Sequence, residues 1–423
     1  MKAQQVLGML KITGHPDPEA LAERYSIPVL QHNGEIERVP FATVRNGCVY
    51  IPRACYRGQY SWTSFPAQGF AAPSVELRQY QLSAAKTLIE KPDGMLRAPA
   101  GAGKTIIMGY VVWARDCRAL VVVPTIDIAH QWRDTFRMYY IDAGLVGGGQ
   151  HRGGAVTITT YQSAFKLDLQ AYGTIVIDEC HRAPCNTIRD ILAICPAAYR
   201  YGCTATPWRA DGMHKALNWL LGGITSTVEP EAVEGYIHSP RILRVDTHLR
   251  YDMVDRRYLL DTVAHDPLRN RKITRVCMEA VGQGHSVLML GDSLEQLEDL
   301  QSRIHGAAFV HGRTKKRERQ QVFADLRAGI RKVLLATYQL AAEGLDVPRA
   351  SALLMCTPTG NQARITQACG RIARMHSDKL DPVVFDFVDV GGLCDRYWRR
   401  RQYVCQAFRF PGSLRRVWCS RVW

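Results

Sequence analysis

The sequence predicts an α/β fold in which two parallel-sheet domains stand in tandem behind a small N-terminal domain. Short runs of Val, Ile and Leu alternate with helical stretches in two series, the pattern of doubly wound parallel sheets. In the first series, one helix is followed by a glycine-containing loop and one strand ends in two carboxylates. A chain of 423 residues exceeds the size of one ordinary core, so two or three domains are expected.

The predicted elements follow in chain order. Residues 1–72 alternate like strands at 39–52 and become rich in aromatics, Gly and Pro at 56–73, which predicts a small accessory domain and a linker. An amphipathic helix is predicted at 77–89, and strands at 119–123, 155–160, 174–177 and from 201 onward. A charged helical stretch at 251–271 precedes strands at 287–290, 307–310, 332–336, 352–356 and 383–387. The expected domains are 1–72, 73–250, 251–392 and 393–423.

Residues 98–105, Ala-Pro-Ala-Gly-Ala-Gly-Lys-Thr, fit a phosphate-binding loop. Ala98 replaces the usual first glycine, which narrows backbone freedom at the entry to the turn. Small residues let backbone N–H groups surround phosphates, while Lys104 offsets phosphate charge and the Thr105 hydroxyl reaches Mg²⁺. The nucleotide-binding residues predicted here are Ala100, Gly101, Ala102, Gly103, Lys104 and Thr105. The alternative is a glycine-rich turn without a ligand.

The predicted strand at 174–177 leads directly into Asp178 and Glu179. The carboxyl edge of a parallel sheet is where such folds bind ligands. Asp178 would hold Mg²⁺ and Glu179 would orient the attacking water. Two acids that merely end a strand are the alternative for this motif alone. Together with the loop, the acids predict a nucleoside-triphosphate hydrolase site that uses ATP and Mg²⁺.

Charge and composition narrow the function further. The net charge of +15 favours a polyanionic partner, with nucleic acid as the leading candidate and a solvated basic surface as the alternative. The 13 cysteines include no C-x-x-C pair, so neither a zinc site nor a disulfide framework is indicated. No apolar run approaches a membrane span, and the N-terminus lacks a signal pattern. A soluble, cytoplasmic protein is expected.

The order of the motifs resembles that of superfamily two helicases over roughly residues 75–390. Within that superfamily the chain is most similar to the XPB-type and UvsW-like phage DNA helicases, which are related to the DEAD/DEAH-box group. The resemblance rests on 77–81 (Leu-Arg-Gln-Tyr-Gln), 178–181 (Asp-Glu-Cys-His), 202–207 (Gly-Cys-Thr-Ala-Thr-Pro) and the stretch 258–273. It implies two RecA-like domains with one nucleotide site at their interface, and a bacterial or phage-infected host cytoplasm.

The resemblance also assigns roles around the nucleotide. It implies that Gln81 recognises the adenine base with support from Arg78. The alternative is that Gln81 lies on an exposed helix face and has no such role. It also implies that Arg371 and Arg374 are arginine fingers beside Gln367, because guanidiniums three residues apart share one helix face. The alternative is that both arginine side chains are solvated on a surface helix. Gly344 and Asp346 would couple domain closure to nucleic acid, or Asp346 would be a turn cap.

Nucleic-acid contacts are likewise implied by the resemblance, because hydroxyls, amides and backbone N–H groups suit phosphate contact without sequence readout. The expected contacts are Pro124, Thr125, Gln131, Thr159, Thr160, Gln162, His311, Gly312, Arg313 and Thr337. Trp132 is either a further contact or a core residue. His181, Thr204 and Thr206 would relay the state of the nucleotide, and a buried, hydrogen-bonded histidine is the alternative for His181.

The tail at 395–423 holds eight Arg interleaved with aromatic residues. Such a segment either grips nucleic acid or packs its aromatics on the second domain and leaves Arg in water.

The function predicted from these features is an ATP-dependent DNA helicase or translocase. It would unwind or remodel duplex or branched DNA in repair, recombination or replication restart, and its expected partner is single-stranded, forked or branched DNA. The alternatives are an RNA helicase, the translocase subunit of a restriction or defence complex, and a non-catalytic scaffold that binds nucleic acid. The intact residues Lys104, Asp178, Glu179, Arg371 and Arg374 argue against the scaffold.

Overall fold

The structure, a computed structural model, describes residues 2–30, 35–56, 58, 60, 62–182, 186–205, 212–236, 238, 240–252, 254–342, 345, 347–374, 376 and 378–406. It divides into two compact units, Met1–Glu229 and Pro230–Trp423. The sequence placed this boundary at residue 250. The division falls earlier because the strand Arg241–Arg250 pairs with Val383–Val390 of the second unit.

The N-terminal residues form small antiparallel sheets. Their elements are β1 (Lys2–Val6), β2 (Met9–Thr13), α1 (Pro18–Glu23), β3 (Ser26–Leu30), β4 (Ile36–Pro40), β5 (Thr43–Arg45) and β6 (Cys48–Pro52). The strands pair in the order β1-β2-β6-β5, and β3 pairs with β4 as a separate hairpin.

These small sheets share a core with the rest of the first unit. Ile27 and Phe41 belong to the same buried cluster as Ile188 and Leu217, and the Phe41 ring meets Trp219 edge-on at 5.6 Å. A buried ion pair joins Arg53 to Asp93. Residues 1–72 are therefore packed as part of this unit.

The remaining elements of the first unit make a large, mostly parallel sheet flanked by helices. They are α2 (Gln79–Ile89), β7 (Asp93–Arg97), α3 (Lys104–Arg115), β8 (Ala119–Val123), α4 (Ile126–Arg137), β9 (Gly144–Gly147), β10 (Gln150–Arg152), β11 (Val156–Thr160), β12 (Thr174–Asp178), α5 (Asn186–Ile194), β13 (Tyr199–Thr204), α6 (Ala216–Leu221) and β14 (Ile224–Thr227).

The eight strands lie in the order β10-β9-β11-β8-β12-β13-β7-β14, with an antiparallel pair only between β10 and β9. The strands predicted at 119–123, 155–160 and 174–177 are present as β8, β11 and β12. Their completely buried Val and Ile residues suit a sheet covered on both faces. The carboxyl ends of β7, β8, β11, β12 and β13 form one edge, and this edge carries the predicted motifs.

The second unit repeats the architecture on a smaller sheet. Its elements are β15 (Arg241–Arg250), α7 (Arg256–His265), α8 (Pro267–Gly282), β16 (Ser286–Gly291), α9 (Leu294–Arg303), β17 (Ala308–Val310), α10 (Lys316–Ala328), β18 (Val333–Thr337), α11 (Tyr338–Ala342), β19 (Ala350–Met355), α12 (Gln362–Ala373), β20 (Val383–Val390) and α13 (Gly392–Gln406). The six strands lie in the order β15-β20-β19-β16-β18-β17, all parallel. The predicted fold of two parallel-sheet domains is confirmed.

Across the described part of the chain, no helix has the length and apolar character that crossing a membrane requires.

Candidate nucleotide site and nucleic-acid contacts

The predicted phosphate loop connects β7 to α3. Gly101 and Gly103 have φ of +90° and +80°, a left-handed conformation that favours glycine. A Cβ on Gly103 would lie 2.5 Å from the Gln81 Nε2 atom, so the loop also lacks room for a side chain there. The helix that follows begins at Lys104, and its first N–H groups suit an anion. The loop therefore has the shape and polarity that phosphates require.

Gln81 braces this loop. Its side chain is only 4% exposed, so the alternative of an exposed helix position does not hold. The Gln81 Nε2 atom donates to the Ala102 carbonyl oxygen at 3.2 Å, and its Oε1 atom accepts from the Arg78 backbone N–H at 3.0 Å. The Tyr80 hydroxyl donates to the same Ala102 oxygen at 3.1 Å. Sequence reasoning missed Tyr80, although it lies within the motif that carries the resemblance.

Asp178 is the last residue of β12 and is 8% exposed. Its Oδ1 atom accepts from the Glu179 backbone N–H at 2.8 Å and from the Cys203 thiol at 3.3 Å. Its Oδ2 atom accepts from the Trp132 indole N–H at 2.8 Å. These donors offset the cost of burying a carboxylate.

Several charges act on Asp178. Burial raises the pKa of Asp178, and the neighbouring Glu179 charge raises that pKa further. The Trp132 hydrogen bond and the Lys104 charge act on the same pKa in the opposite direction. The Lys104 Nζ atom donates to the Ala98 carbonyl oxygen at 3.5 Å. Thr105 follows Lys104 in the first turn of α3 and is half-buried.

Glu179 lies just past the end of β12 in a left-handed backbone conformation, φ +48°. Such a conformation is uncommon for a residue other than glycine and is frequent at functional sites. The His181 Nδ1 atom lies 3.3 Å from Glu179 Oε2 and 3.1 Å from Thr204 Oγ1. The structure thus brings together three of the residues expected to act on or sense the nucleotide. Thr206 falls outside the described residues.

Most expected nucleic-acid contacts of the first unit lie at two adjacent strand ends, since Thr160 of β11 pairs with Val123 of β8, whereas Gln131 lies within α4. Pro124 is buried, whereas Thr125 and Gln131 are half-buried, and the Thr125 hydroxyl caps α4 by accepting from the Ile128 N–H at 3.4 Å. Thr160 is half-buried and Gln162 is exposed.

Thr159 and Trp132 take interior positions. Thr159 is completely buried, and its hydroxyl donates to the Val146 carbonyl oxygen at 2.9 Å. A side chain in the middle of a covered sheet cannot meet a nucleic-acid strand, which corrects that expectation for the Thr159 side chain. Trp132 is 1% exposed, so its core alternative describes the structure. The helical spacing of Ile128, Trp132 and Phe136 signals this burial, but it does not reveal the bond to Asp178.

In the second unit, Gln367 and Arg371 lie four residues apart on α12 and are both half-buried. The Arg371 Nε atom donates to the Ala341 carbonyl oxygen at 3.2 Å. Arg374 lies beyond the helix with an extended backbone, ψ 137°, and its carbonyl oxygen accepts from the Lys379 ammonium at 2.8 Å. The expectation that Arg371 and Arg374 share one helix face is therefore corrected, because α12 ends at Ala373.

The other second-unit residues lie around strand ends. His311, after β17, is half-buried and stacks on Phe309 with ring centroids 5.1 Å apart. Gly312 and Arg313 are exposed. The Thr337 hydroxyl, at the end of β18, accepts from the Leu340 N–H at 3.2 Å. Gly344 and Asp346 fall outside the described residues.

The described part of the tail, α13, has two distinct faces. Leu393 and Cys394 are buried in an apolar cluster against which Tyr397 packs. Arg401 is 2% exposed and its Nε atom donates to Asp386 at 2.7 Å. The other face holds three exposed arginines, Arg396, Arg399 and Arg400. This arrangement is the packing alternative for α13, because one face packs and the other leaves arginines in water. Contact of these arginines with nucleic acid stays a prediction.

Comparisons with known proteins identify the class. The fold and the phosphate loop with its adjacent acids define an ATP-dependent enzyme with two RecA-like domains. Residues 74–209 match the family of the type III restriction enzyme res subunit, and residues 270–376 match the helicase conserved C-terminal domain. The chain belongs to the superfamily two helicases, among which its relatives are XPB-type and phage enzymes.

Two curated relatives illustrate this. The DNA 3'-5' translocase XPB2 of Sulfurisphaera tokodaii is 27% identical over 78% of this chain and 85% of its own length. A probable helicase of Escherichia phage T5 is 25% identical over 70% of this chain and 68% of its own.

Solved structures support the same fold. Dbp5 of S. cerevisiae, bound to RNA and ADP BeF3, superposes with a TM-score of 0.56 at 18% identity, over 78% of this chain and 87% of Dbp5. The type ISP restriction-modification enzyme LlaBIII bound to DNA gives 0.58 at 15% identity, over 80% of this chain and 30% of LlaBIII.

Proposed function

We propose that this protein is an ATP-driven DNA translocase that unwinds or remodels duplex, forked or branched DNA in repair, recombination or replication restart. The observation that carries the proposal is the edge of the eight-stranded sheet. There the glycine loop before Lys104 and the buried Asp178 with its neighbour Glu179 follow parallel strands. The DNA helicases and translocases among the relatives support DNA as the substrate.

The first-unit residues would divide the work on ATP. The loop from Ala100 to Gly103 and the first turn of α3 would bind the phosphates through backbone N–H groups. Lys104 would offset β- and γ-phosphate charge. Gln81 and Arg78 would contact the adenine. Gln81 would also link the adenine to the phosphate loop, because its side chain is hydrogen-bonded to the Ala102 carbonyl oxygen.

Mg²⁺ fits this edge because hard oxygen donors stand there, the buried Asp178 carboxylate and the Thr105 hydroxyl. When bound, Mg²⁺ would neutralise charge that develops on the transferring phosphate. Glu179 would orient the attacking water. The strained backbone of Glu179 supports this role because such strain is held where it serves function.

Residues of the second unit enter the proposal through family resemblance. Arg371 and Arg374 would stabilise charge on the γ-phosphate, with Gln367 beside them, and Gly344 and Asp346 would transmit domain closure. His181 and Thr204 would relay the nucleotide state, a role that their 3.1 Å contact supports.

DNA would run along residues at strand ends, with phosphate contacts from Thr125, Gln131, Thr160 and Gln162 in one unit and from His311, Gly312, Arg313 and Thr337 in the other. The exposed arginines of α13 would add an electrostatic contact, because their spacing of three and four residues places them on one helix face.

The first test is ATP hydrolysis by the purified protein alone and with single-stranded DNA, duplex, forked DNA and RNA. We expect the largest stimulation with forked or branched DNA and none in Lys104→Ala. Lys86→Ala, which removes an exposed lysine from α2, is the matched control and should behave as wild type. If RNA stimulates hydrolysis and no form of DNA does, the substrate is RNA and the DNA assignment is wrong. If ATP is not hydrolysed under any condition, the non-catalytic scaffold is favoured.

A restriction-complex translocase is the second candidate, because the first matched family is that of a restriction subunit. In that case the purified chain should hydrolyse ATP on long duplex DNA and show no strand displacement on forked substrates. Strand displacement by the chain alone would reject this candidate.

A further inference from the structure

We infer that Trp132 is a positioning residue that fixes the Asp178 carboxylate and thereby ties α4 to the Mg²⁺-binding edge of the nucleotide site. The inference rests on the proposed function, since it assigns Asp178 to Mg²⁺. It gives a role to a tryptophan that sequence reasoning placed either on the nucleic-acid strand or in the core.

The contact is specific in geometry. The indole Nε1 donates to Asp178 Oδ2 at 2.8 Å, within the short half of the range of N–H···O hydrogen bonds. The Trp132 ring is 1% exposed and lies 5.8 Å from the Phe136 ring, so packing holds the indole in place. Because an indole N–H can only donate, its bond orients the carboxylate in one direction.

The two carboxylate oxygens are held from different sides. Oδ1 faces the Glu179 N–H at 2.8 Å and the Cys203 thiol at 3.3 Å, both close to strand ends of the sheet. Oδ2 faces Trp132 on a helix that covers the sheet. Loss of the indole N–H would leave Oδ2 of a buried carboxylate without this donor, so that only the two bonds to Oδ1 would still orient the carboxylate. A group that orients a metal ligand in this way contributes to metal affinity.

The same helix leads to the nucleic-acid edge. Thr125 caps the start of α4, and Trp132 lies seven residues later, about 10 Å along the axis at 1.5 Å per residue. A helix transmits displacement over such a length as a rigid element. A shift of Thr125 on nucleic acid would therefore reach Asp178 through Trp132.

Trp132→Phe tests this because it retains an aromatic ring and removes the N–H. Trp113→Phe is the matched control, since the Trp113 indole also donates, to the Ala71 carbonyl oxygen at 2.8 Å, on another helix of the same unit. The readout is the affinity of a fluorescent ATP analogue with saturating Mg²⁺ and with EDTA. In Trp132→Phe the gain in affinity that Mg²⁺ provides should fall about 10- to 100-fold, while the EDTA affinity stays that of wild type.

Three comparisons make the result decisive. Asp178→Asn should abolish the Mg²⁺-dependent gain, and adding Trp132→Phe to it should have no further effect. Stimulation of hydrolysis by saturating single-stranded DNA should also fall in Trp132→Phe and not in Trp113→Phe. An unchanged Mg²⁺-dependent gain in Trp132→Phe overturns the inference, as does an equal loss with Mg²⁺ and with EDTA, which would mean a packing role alone.

Hydrogen exchange on the wild-type protein gives a measurement that does not depend on the variant folding. At constant nucleotide, Mg²⁺ should raise protection of amides in Ile126–Arg137, and unchanged protection there contradicts the link. If the wild-type protein shows no Mg²⁺-dependent gain in nucleotide affinity at all, the proposed ATP site itself fails, which is a separate outcome.

Discussion

The eight-stranded sheet of the first unit and the six-stranded sheet of the second both present the carboxyl ends of parallel strands at one edge, yet the two edges hold different chemistry. In the first unit, β7 leads into a loop with two left-handed glycines, and β12 ends in a buried carboxylate bonded to neutral donors. In the second unit, β16 leads into Asp292, which two arginines hold: Arg256, and Arg364 at 3.1 Å.

The difference teaches that the shared architecture creates a place for a ligand, and the residues at the edge decide whether a nucleotide binds there. The Asp178 carboxylate accepts hydrogen bonds from neutral N–H and S–H donors, and the Lys104 charge also acts on it, but no guanidinium is bonded to it among the described residues. The Asp292 carboxylate is already balanced by two guanidiniums. Under the proposed function, Asp178 would therefore be the acid that holds Mg²⁺, whereas Asp292 is already paired with Arg256 and Arg364.

The largest expected effect is a loss of ATP hydrolysis on substitution at the sheet edge of the first unit, with no loss of nucleotide affinity on substitution at the sheet edge of the second. Glu179→Gln should reduce ATP hydrolysis by about 100- to 10,000-fold, because the amide no longer orients and activates water. Nucleotide binding should persist, since the loop is untouched. Asp292→Asn in the second unit should leave nucleotide affinity at the wild-type value. Steady-state hydrolysis beside equilibrium nucleotide binding checks both, and normal hydrolysis by Glu179→Gln would mean that the site is misplaced.

The next effect concerns buried ion pairs, one in each unit. Arg269 and Asp389 are both fully buried and form two bonds, at 2.8 and 3.1 Å. Arg269→Met should lower the free energy of unfolding by about 3–5 kcal/mol, because it leaves an unpaired buried carboxylate.

Arg53→Met should cost the first unit less. A second buried guanidinium, Arg200, feels the same Asp93, and burial and the Arg53 charge lower the pKa of Arg200 to about 10. Removing Arg53 relieves that repulsion and leaves Asp93 with a cation nearby. Urea unfolding followed by circular dichroism measures both variants, and an Arg53→Met loss equal to that of Arg269→Met would contradict this account.

Local patterns were sufficient to predict most of the fold. The Val and Ile runs of β8 and β12 mark covered parallel strands, and the glycines before Lys104 mark the loop, because each signal depends on neighbours in sequence. Residues 241–250, which form β15, were not predicted as a strand and were included in the expected domain 73–250, whereas β15 pairs with β20 of the second unit. It is an edge strand with exposed Arg244, Asp246 and His248, so its apolar signal is weak.

Other features depend on contacts between distant residues and could not be predicted. The Trp132–Asp178 bond joins residues 46 positions apart. The burial of Phe41 against Trp219 depends on which surface covers the small N-terminal sheets. The end of α12 before Arg374 could not be predicted, because no glycine or proline, the usual signals of a helix end, stands at that point of the sequence.

A smaller effect compares one glycine in each unit. Gly103→Ala and Gly329→Ala both place a side chain at positive φ, +80° and +76°, which costs about 1–2 kcal/mol of folding free energy in each case. Only Gly103→Ala should also weaken nucleotide binding, because its Cβ would displace the buried Gln81 amide from the loop. Thermal unfolding and nucleotide titration on both variants check this. Equal nucleotide affinities in the two would show that the loop tolerates a side chain.

The smallest effect tests whether the second unit also grips DNA through its packed helix. Replacing Arg396, Arg399 and Arg400 with Gln should make the dependence of DNA affinity on salt shallower by about two to three units of log–log slope, since each phosphate that is no longer neutralised removes about 0.9. Gln at Arg271, Arg275 and Lys332, three exposed positions of the same unit, removes equal charge elsewhere.

This control set should leave the slope within about half a unit of wild type if the contact is local. Folding should be unaffected in the α13 variant, because like charges three and four residues apart repel and Gln relieves that repulsion. Identical slopes in the two triple variants would mean that α13 contributes only to the overall positive field. A wild-type protein without measurable DNA affinity would instead remove DNA from the proposed function.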